Sequence, residues 1–105
     1  RVEQTAALAR ELGVVLLRKG HRTLITDGCD CWENHTGNPG MATGGSGDVL
    51  SGIILSLLGQ GLTPLQAAAA ACWLHGAAGD RAAERLGEYG MLPGDLVEEL
   101  PQLLK

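Results

Sequence analysis

Three glycines and an aspartate stand close together near the middle of the chain, at Gly44, Gly45, Gly47 and Asp48. A glycine-rich backbone has no Cβ atoms to obstruct it, so it can approach a phosphate closely. A helix is predicted to start near Asp48, and the free N–H groups and positive dipole of a helix N-terminus bind anions. The pattern indicates an anion hole for the terminal phosphates of a nucleotide. It matches neither the Walker A pattern nor the spacing of a Rossmann fingerprint.

Two roles fit Asp48. Aspartate is a preferred N-cap residue, so it would be found at a helix start for structural reasons alone. A carboxylate beside a phosphate site can instead act as a general base that takes a proton from an attacking hydroxyl. The residue type by itself leaves both roles open.

A small basic cluster is the second candidate for phosphate binding, and it consists of Arg18, Lys19, His21 and Arg22. It is large enough for one di- or triphosphate but too small for a nucleic-acid footprint. The formal net charge of −4 also argues against nucleic acid as a partner, because duplex binding depends on neutralising phosphates.

The residues around the glycine loop carry a family resemblance. The run NPGMATGGSGDVLSGII, residues 38–54, closely resembles the signature of the ADP/ATP-dependent NAD(P)H-hydrate dehydratases of the ribokinase-like superfamily. Three more segments are similar to parts of that family, namely LLRKG at 16–20, WLHGAAGD at 73–80 and PGDL at 93–96. The resemblance covers essentially the whole chain, which corresponds to the C-terminal portion of the family's domain.

The resemblance implies a role for each matching residue. Asp48 would contact the hydrated nicotinamide ring and act as the catalytic base, and Asn38 would also bind this substrate. Gly47 would contact the nucleotide phosphates, with Gly44 and Gly45 completing the anion hole. His21 and Arg22 stand where the family more often has small residues. The adenine nucleotide would lie along five consecutive residues: Lys19, Gly20, His21, Arg22 and Thr23.

The implied activity is the repair of hydrated NADH or NADPH at the expense of ADP or ATP. Phosphorylation of the C6 hydroxyl would turn a poor leaving group into a good one, and elimination of phosphate would restore the double bond. Mg²⁺ is expected on the nucleotide phosphates, since phosphoryl transfer needs its charge neutralised. No acidic ligand cluster is visible in the sequence, so no protein residue is assigned to the metal.

Two other functions fit parts of the sequence. A ribokinase-like kinase of a vitamin precursor would use the same anion hole and aspartate but would release a phosphorylated product. A non-catalytic assembly fragment would use the alanine-rich helix after residue 63 as a packing face. The residues at 38–41, just before the glycine loop, favour the dehydratase over the kinase.

The helices and strands that must position these residues are predicted to form an α/β fold. Periodic apolar residues predict an amphipathic first helix, and a capping box at Thr63 and Gln66 marks the start of the longest helix. The segment 36–47 has no periodicity and is predicted to be a loop, while Asp27-Gly28 predicts a hairpin turn. Helices are predicted over 2–12, 48–58, 64–86 and 93–104, and strands over 14–17, 23–26 and 31–35.

Three short strands are too few to cover the apolar faces of four helices. We therefore expect residues 1–105 to be the C-terminal part of one ribokinase-like three-layer domain, with further strands upstream. The chain should form a homo-oligomer or associate with that N-terminal part, and the 105 residues alone should be inactive.

The cysteine content and the length of the apolar runs indicate where in the cell the protein is expected. Three cysteines without a signal peptide indicate free thiols in a cytoplasmic protein. The longest apolar run, 49–58, is too short to span a bilayer, so no membrane partner is expected. His75 is expected to pack or to form hydrogen bonds, and Trp32 and Trp73 to lie in the core or at a subunit contact. Asn34 and His35 are candidates for lining the ligand cleft.

Overall fold

Four helices and three strands follow one another in the computed structural model, which describes residues 2–19, 22–38, 41, 46–88, 90 and 92–103. The strands come early, between the first helix and the other three. This order agrees with the α/β prediction. In chain order the elements are α1 Val2–Leu12, β1 Leu16–Arg18, β2 Thr23–Thr26, β3 Cys31–Asn34, α2 Ser46–Gly59, α3 Pro64–Leu86 and α4 Pro93–Leu103.

The three strands form one antiparallel sheet with β2 in the centre. Ile25 of β2 lies opposite Leu17 on one side and Trp32 on the other. The first strand begins two residues later than predicted because Val14 takes part in the turn that caps α1, where its N–H donates to the carbonyl of Ala9 at 3.1 Å.

The turn between β2 and β3 is built around Asp27, as the Asp-Gly pair predicts. Its Oδ1 accepts hydrogen bonds from the backbone N–H groups of Asp30 and Cys29, both at 2.8 Å. These bonds stabilise the carboxylate and lower the pKa of Asp27 below its usual value. Gly28 has a φ of 98°, which favours glycine, and its carbonyl accepts a bond from Arg10 of α1. The turn is thereby fastened to the first helix.

Helices cover both faces of the sheet, which gives the predicted three layers. The first helix packs against β1 and β2, while α3 packs against β2 and β3. Ile25 joins a core cluster with Leu50 of α2 and the α3 residues Ala68 and Ala71. Neighbouring Leu24 is also buried although it points to the opposite face, because side chains alternate along a strand.

The long helix α3 has the predicted start and end. Thr63 Oγ1 accepts from the backbone N–H of Gln66 at 3.3 Å, and the Gln66 side chain accepts from the N–H of Thr63 at 3.1 Å. Gly87 ends the helix with a φ of 79°. Within the described part of the chain, no helix is both long enough and apolar enough to cross a membrane.

The last helix, α4, packs on α3 through a second cluster and through ion pairs. Leu96 is buried against Ala78 and Ala82 of α3. Arg81 and Arg85 of α3 both pair with Glu99, at 3.3 and 3.0 Å. The last position of the helix predicted over 93–104 lies outside the described residues.

Both tryptophans are half-exposed, so the prediction of a core position for either one is wrong. Trp32 is 57% exposed and Trp73 is 51% exposed, and they line the same open cavity of about 580 Å³ between β3 and α3. The core of this layer is filled instead by the small residues of α3, which bring the helix close to the sheet. The alternative role in a subunit contact stays a prediction.

Apolar side chains are also exposed on the outer helices. Leu55 of α2 is 72% exposed and Leu12 of α1 is 58% exposed. Exposed apolar surface promotes association. We therefore expect the isolated 105 residues to form oligomers in light scattering. A monodisperse monomer would contradict this expectation.

The three free cysteines should differ sharply in reactivity. Cys29 and Cys31 are exposed, whereas Cys72 is buried on α3. Burial raises the pKa of the Cys72 thiol to about 11, with the charge of Lys19 acting in the opposite direction. The Cys72 thiol is then almost entirely protonated at pH 8, and the protonated thiol is a poor nucleophile. In a thiol-disulfide titration of the native protein we expect two fast thiols and a third that reacts only after unfolding; three equal rates would contradict the burial of Cys72.

Candidate active site

The N-terminus of α2 carries the aspartate that the sequence singles out. The helix begins at Ser46, two residues before the predicted start, so Gly47 and Asp48 are its second and third residues. Asp48 therefore lies in the first turn and is not the N-cap. Its side chain is exposed and accessible to a ligand. A carboxylate in this position also interacts favourably with the helix dipole.

Lys19 reaches this helix start from the end of β1. A Cβ atom built on Gly47 would stand 3.6 Å from the Lys19 ammonium nitrogen, with no closer side chain among the residues that the structure describes. The structure thus brings together a cation, a helix N-terminus and a residue without a side chain. Backbone N–H groups and an ammonium group converging on one space form a site for an anion such as a phosphate.

Gly47 is in regular helical conformation, so its importance does not come from an unusual backbone. Its φ is not among the positive values that only glycine adopts readily. The helix continues normally after it, with Ser51 donating its hydroxyl to the Gly47 carbonyl at 3.0 Å. What the glycine provides is space beside Lys19.

The other residues of the predicted nucleotide stretch take different positions. Thr23 starts β2 and is half-buried opposite Asn34 of β3. The guanidinium of Arg22 lies 3.7 Å from the carboxylate of Glu33, which also contacts His35 at 3.1 Å. Arg22 and His35 are thus engaged with the outer strand. Four predicted nucleotide contacts lie outside the described residues: Gly20, His21, Gly44 and Gly45.

Asn38, the second predicted substrate contact, is held by a residue that the sequence analysis did not single out. The Asn38 side-chain N–H donates to Oδ1 of Asp80 at 3.0 Å, and the backbone N–H of Gly37 donates to Oδ2 at 3.0 Å. Asp80 lies on α3. The signal for it was present in the segment 73–80, where two glycines and an aspartate recur at helical spacing on one face.

Asn34 and His75 have structural partners. Asn34 is half-buried and donates its side-chain N–H to the carbonyl of Cys72 at 3.2 Å, which ties the end of β3 to α3. His75 is buried on α3, as predicted. No group of three or more His, Cys, Asp or Glu side chains suited to a metal ion occurs among the residues that the structure describes.

The comparison with protein families decides the membership of the chain. The model of the NAD(P)H-hydrate dehydratase family matches residues 1–102. The chain belongs to this family. The match includes the helix start with Gly47 and Asp48, the strand end with Lys19, and the α3 segment that holds Asn38.

Curated members of the family are similar over nearly the whole chain. A bifunctional NAD(P)H-hydrate repair enzyme of Moorella thermoacetica is 56% identical over 107 residues, covering 100% of this chain and 20% of the relative. An ADP-dependent (S)-NAD(P)H-hydrate dehydratase of Neisseria meningitidis is 44% identical, covering 91% of this chain and 34% of the relative. The chain thus spans about a fifth to a third of these relatives.

Solved structures of the family share the fold. The ADP/ATP-dependent NAD(P)H-hydrate dehydratase of Bacillus subtilis, co-crystallised with ATP and Mg²⁺, superimposes with a TM-score of 0.91 at 35% identity. The superposition covers 99% of this chain and 38% of that one. A ribokinase-like superfamily protein of Enterococcus faecalis superimposes at 0.81 with 37% identity, covering 94% of this chain and 34% of that one. The predicted ribokinase-like α/β fold is confirmed.

Proposed function

We propose that the protein containing this chain dehydrates hydrated NADH or NADPH, and that it uses ADP or ATP to do so. One observation carries the proposal: Lys19 lies beside Gly47 at the start of α2, and the exposed carboxylate of Asp48 follows directly. A phosphate site and a base are the two groups that phosphorylation of a substrate hydroxyl requires. The family membership of the chain supports the same reaction.

The phosphate end of the nucleotide would bind between Lys19 and the first turn of α2. The ammonium group and the helix dipole both attract the phosphate charge, and the missing side chain at Gly47 leaves room for it. Gly44 and Gly45 would complete the anion hole. Gly20, His21, Arg22 and Thr23 would hold the rest of the adenine nucleotide. The B. subtilis relative, crystallised with ATP and Mg²⁺, supports an adenine nucleotide here.

Asp48 would accept the proton of the C6 hydroxyl as this oxygen attacks the terminal phosphorus of the nucleotide. The hydroxyl oxygen gains the phosphoryl group, and the bond from phosphorus to the bridging oxygen breaks, releasing AMP from ADP or ADP from ATP. The phosphate then leaves from C6 with the loss of a ring proton, which restores the double bond. Asn38 would hold the substrate beside Asp48.

The proposal also includes Mg²⁺ as the metal ion and the cytoplasm as the compartment. Mg²⁺ bound to the nucleotide would neutralise phosphate charge during the transfer. The described residues contain no cluster of three or more side chains suited to a metal ion. Lys19 and the backbone N–H groups of α2 would bind the phosphates of the nucleotide. We expect a cytoplasmic protein, as its free cysteines indicate.

A small-molecule kinase is the second candidate, because the same cation, helix start and aspartate would serve it. The fate of the phosphate separates the two. We expect the full-length protein, given hydrated NADH and ADP, to release inorganic phosphate and AMP in equal amounts while NADH reappears. A stable phosphorylated product, from this substrate or from a hydroxymethylpyrimidine or thiazole alcohol, would favour the kinase.

A further inference from the structure

The segment that leads towards α2 is fastened to one face of α3. Asn34 donates its side-chain N–H to the carbonyl of Cys72 at 3.2 Å, and the Thr36 hydroxyl donates to the carbonyl of Trp73 at 3.2 Å. One turn further along α3, a Cβ on Gly76 would overlap the Thr36 hydroxyl. The backbone of this segment and the backbone of α3 therefore lie against each other without room for a side chain at position 76.

The next turn of α3 presents Asp80 to the same segment. One carboxylate oxygen accepts from the backbone N–H of Gly37 and the other from the side-chain N–H of Asn38, each at 3.0 Å. Gly37 has a φ of 111°, a conformation that favours glycine. Both partners are donors and a carboxylate only accepts, so an ionised aspartate satisfies this turn where an amide would not.

The chain remains attached to α3 beyond this turn. The carbonyl of Asn38 accepts from the backbone N–H of Met41 at 3.1 Å. The Met41 side chain fills the space above Gly79, where a Cβ would overlap its sulfur, and it packs in the cluster around Leu96. The described residues of this segment, 34–38 and 41, are therefore held along a single helix face.

We propose that Asp80 is a positioning residue for the reaction, which fixes the Asn38 amide and the turn at Gly37. Only the NH₂ group of Asn38 can donate to the carboxylate, so the amide is held in one orientation. This inference rests on the proposed function in one respect, that Asn38 contacts the substrate. Asp80 acts through Asn38 and through the backbone, while Lys19 and Gly47 bind the nucleotide at the other end of the segment.

An exchange of the two side chains isolates this role. In Asp80→Asn, the new amide must place its own NH₂ group against one of the two donors, so one hydrogen bond is lost. In Asn38→Asp, two carboxylates face each other. In the double variant Asn38→Asp/Asp80→Asn, the amide at position 80 accepts from Gly37 and donates to the carboxylate at position 38, so both bonds return.

The four proteins are compared at full length with two measurements. The first is kcat for hydrated NADH at saturating ADP, normalised to folded enzyme. The second is hydrogen exchange of the peptide that contains Gly37, which does not depend on activity. Asp95→Asn is the control, because Asp95 Oδ2 also accepts from a backbone N–H, that of Leu92 at 2.6 Å, and no part in the reaction is assigned to it.

We expect Asp80→Asn to lower kcat about tenfold, and the double variant to exceed Asn38→Asp by about tenfold or more. The Gly37 peptide should exchange faster in each single variant and return towards the wild-type rate in the double variant. Asp95→Asn should change neither value. Additive losses of kcat, or a kcat within twofold of wild type in Asp80→Asn despite faster exchange, would overturn the inference. If the wild-type protein is inactive towards hydrated NADH, the proposed function is refuted. The hydrogen-exchange rates of the Gly37 peptide would then still test the contacts that Asp80 makes.

Discussion

Full-length protein carrying Asp48→Asn should fold normally and lose its dehydration activity. A positioned general base contributes about 100-fold to 10,000-fold to a rate, so we expect kcat to fall at least about 100-fold. The change keeps the shape of the side chain and removes its ability to take a proton. Asp48 is exposed in the first turn of α2, where a carboxylate stabilises a helix by about 0.3–1 kcal/mol. The melting temperature should therefore fall only slightly.

The chain provides a matched control for this variant. The fourth helix also has Gly and Asp as its second and third residues, at Gly94 and Asp95. Asp95→Asn removes a first-turn carboxylate to which no part in the reaction is assigned. If it costs as much activity as Asp48→Asn, or if Asp48→Asn keeps a kcat within a few-fold of wild type, Asp48 is not the base.

Substitution of Gly47 should separate nucleotide binding from folding. In Gly47→Ala, the new methyl group would occupy the space beside the Lys19 ammonium at 3.6 Å, an ordinary contact distance. The helix accepts alanine better than glycine, by up to about 1 kcal/mol, so stability should hold or rise. Calorimetry should show ADP and ATP affinity weakened by about tenfold or more, about 1.4 kcal/mol of binding free energy. Gly47→Val, with a larger branched side chain, should weaken it further.

Gly52→Ala is the control for the Gly47 variants. Gly52 lies on the same helix, and within the described part of the chain a Cβ there would meet no neighbouring atom within 4 Å. The Gly52→Ala variant should change stability about as much as Gly47→Ala does, while its affinity for ADP and ATP stays unchanged. An equal loss of affinity in both alanine variants, or an unchanged affinity in Gly47→Val, would place the phosphate site elsewhere.

Local signals in the sequence predicted most of the elements. The capping box at Thr63 and Gln66 and the glycine at 87 define α3 at both ends, and each acts through residues nearby in the chain. The Asp27-Gly28 pair predicted the hairpin for the same reason. Boundaries that depend on a neighbouring element were less accurate. Val14 lies in the cap that follows α1 instead of starting a strand, because its N–H donates to the carbonyl of Ala9.

The start of α2 shows how a boundary shift changes chemistry. The sequence predicted a helix near Asp48, which left an N-cap role open. The helix begins at Ser46, and so Asp48 falls in the first turn with an exposed side chain. A run of small residues before the apolar positions gives no periodicity from which to place this start. The proximity of Lys19 to Gly47 also depends on tertiary structure. The sequence predicted that both residues bind the nucleotide, but not that they lie side by side.

Other parts of the site depend on contacts between distant segments. The sequence did not single out Asp80, because its partners at Gly37 and Asn38 lie on a different element. The half-exposed tryptophans were also unpredictable from residue type. Aromatic side chains usually pack inside a small domain, but here the alanines of α3 approach the sheet and leave Trp73 at the margin.

Return of reduced-nicotinamide absorbance tests the central claim most directly. The full-length protein is incubated with hydrated NADH, Mg²⁺ and ADP or ATP, and the absorbance is followed with each component omitted in turn. We predict that the absorbance returns only when a nucleotide is present and that Asp48→Asn abolishes the return. Absorbance that recovers equally without nucleotide, or that never recovers with the complete mixture, would contradict the assignment of a nucleotide-dependent dehydratase.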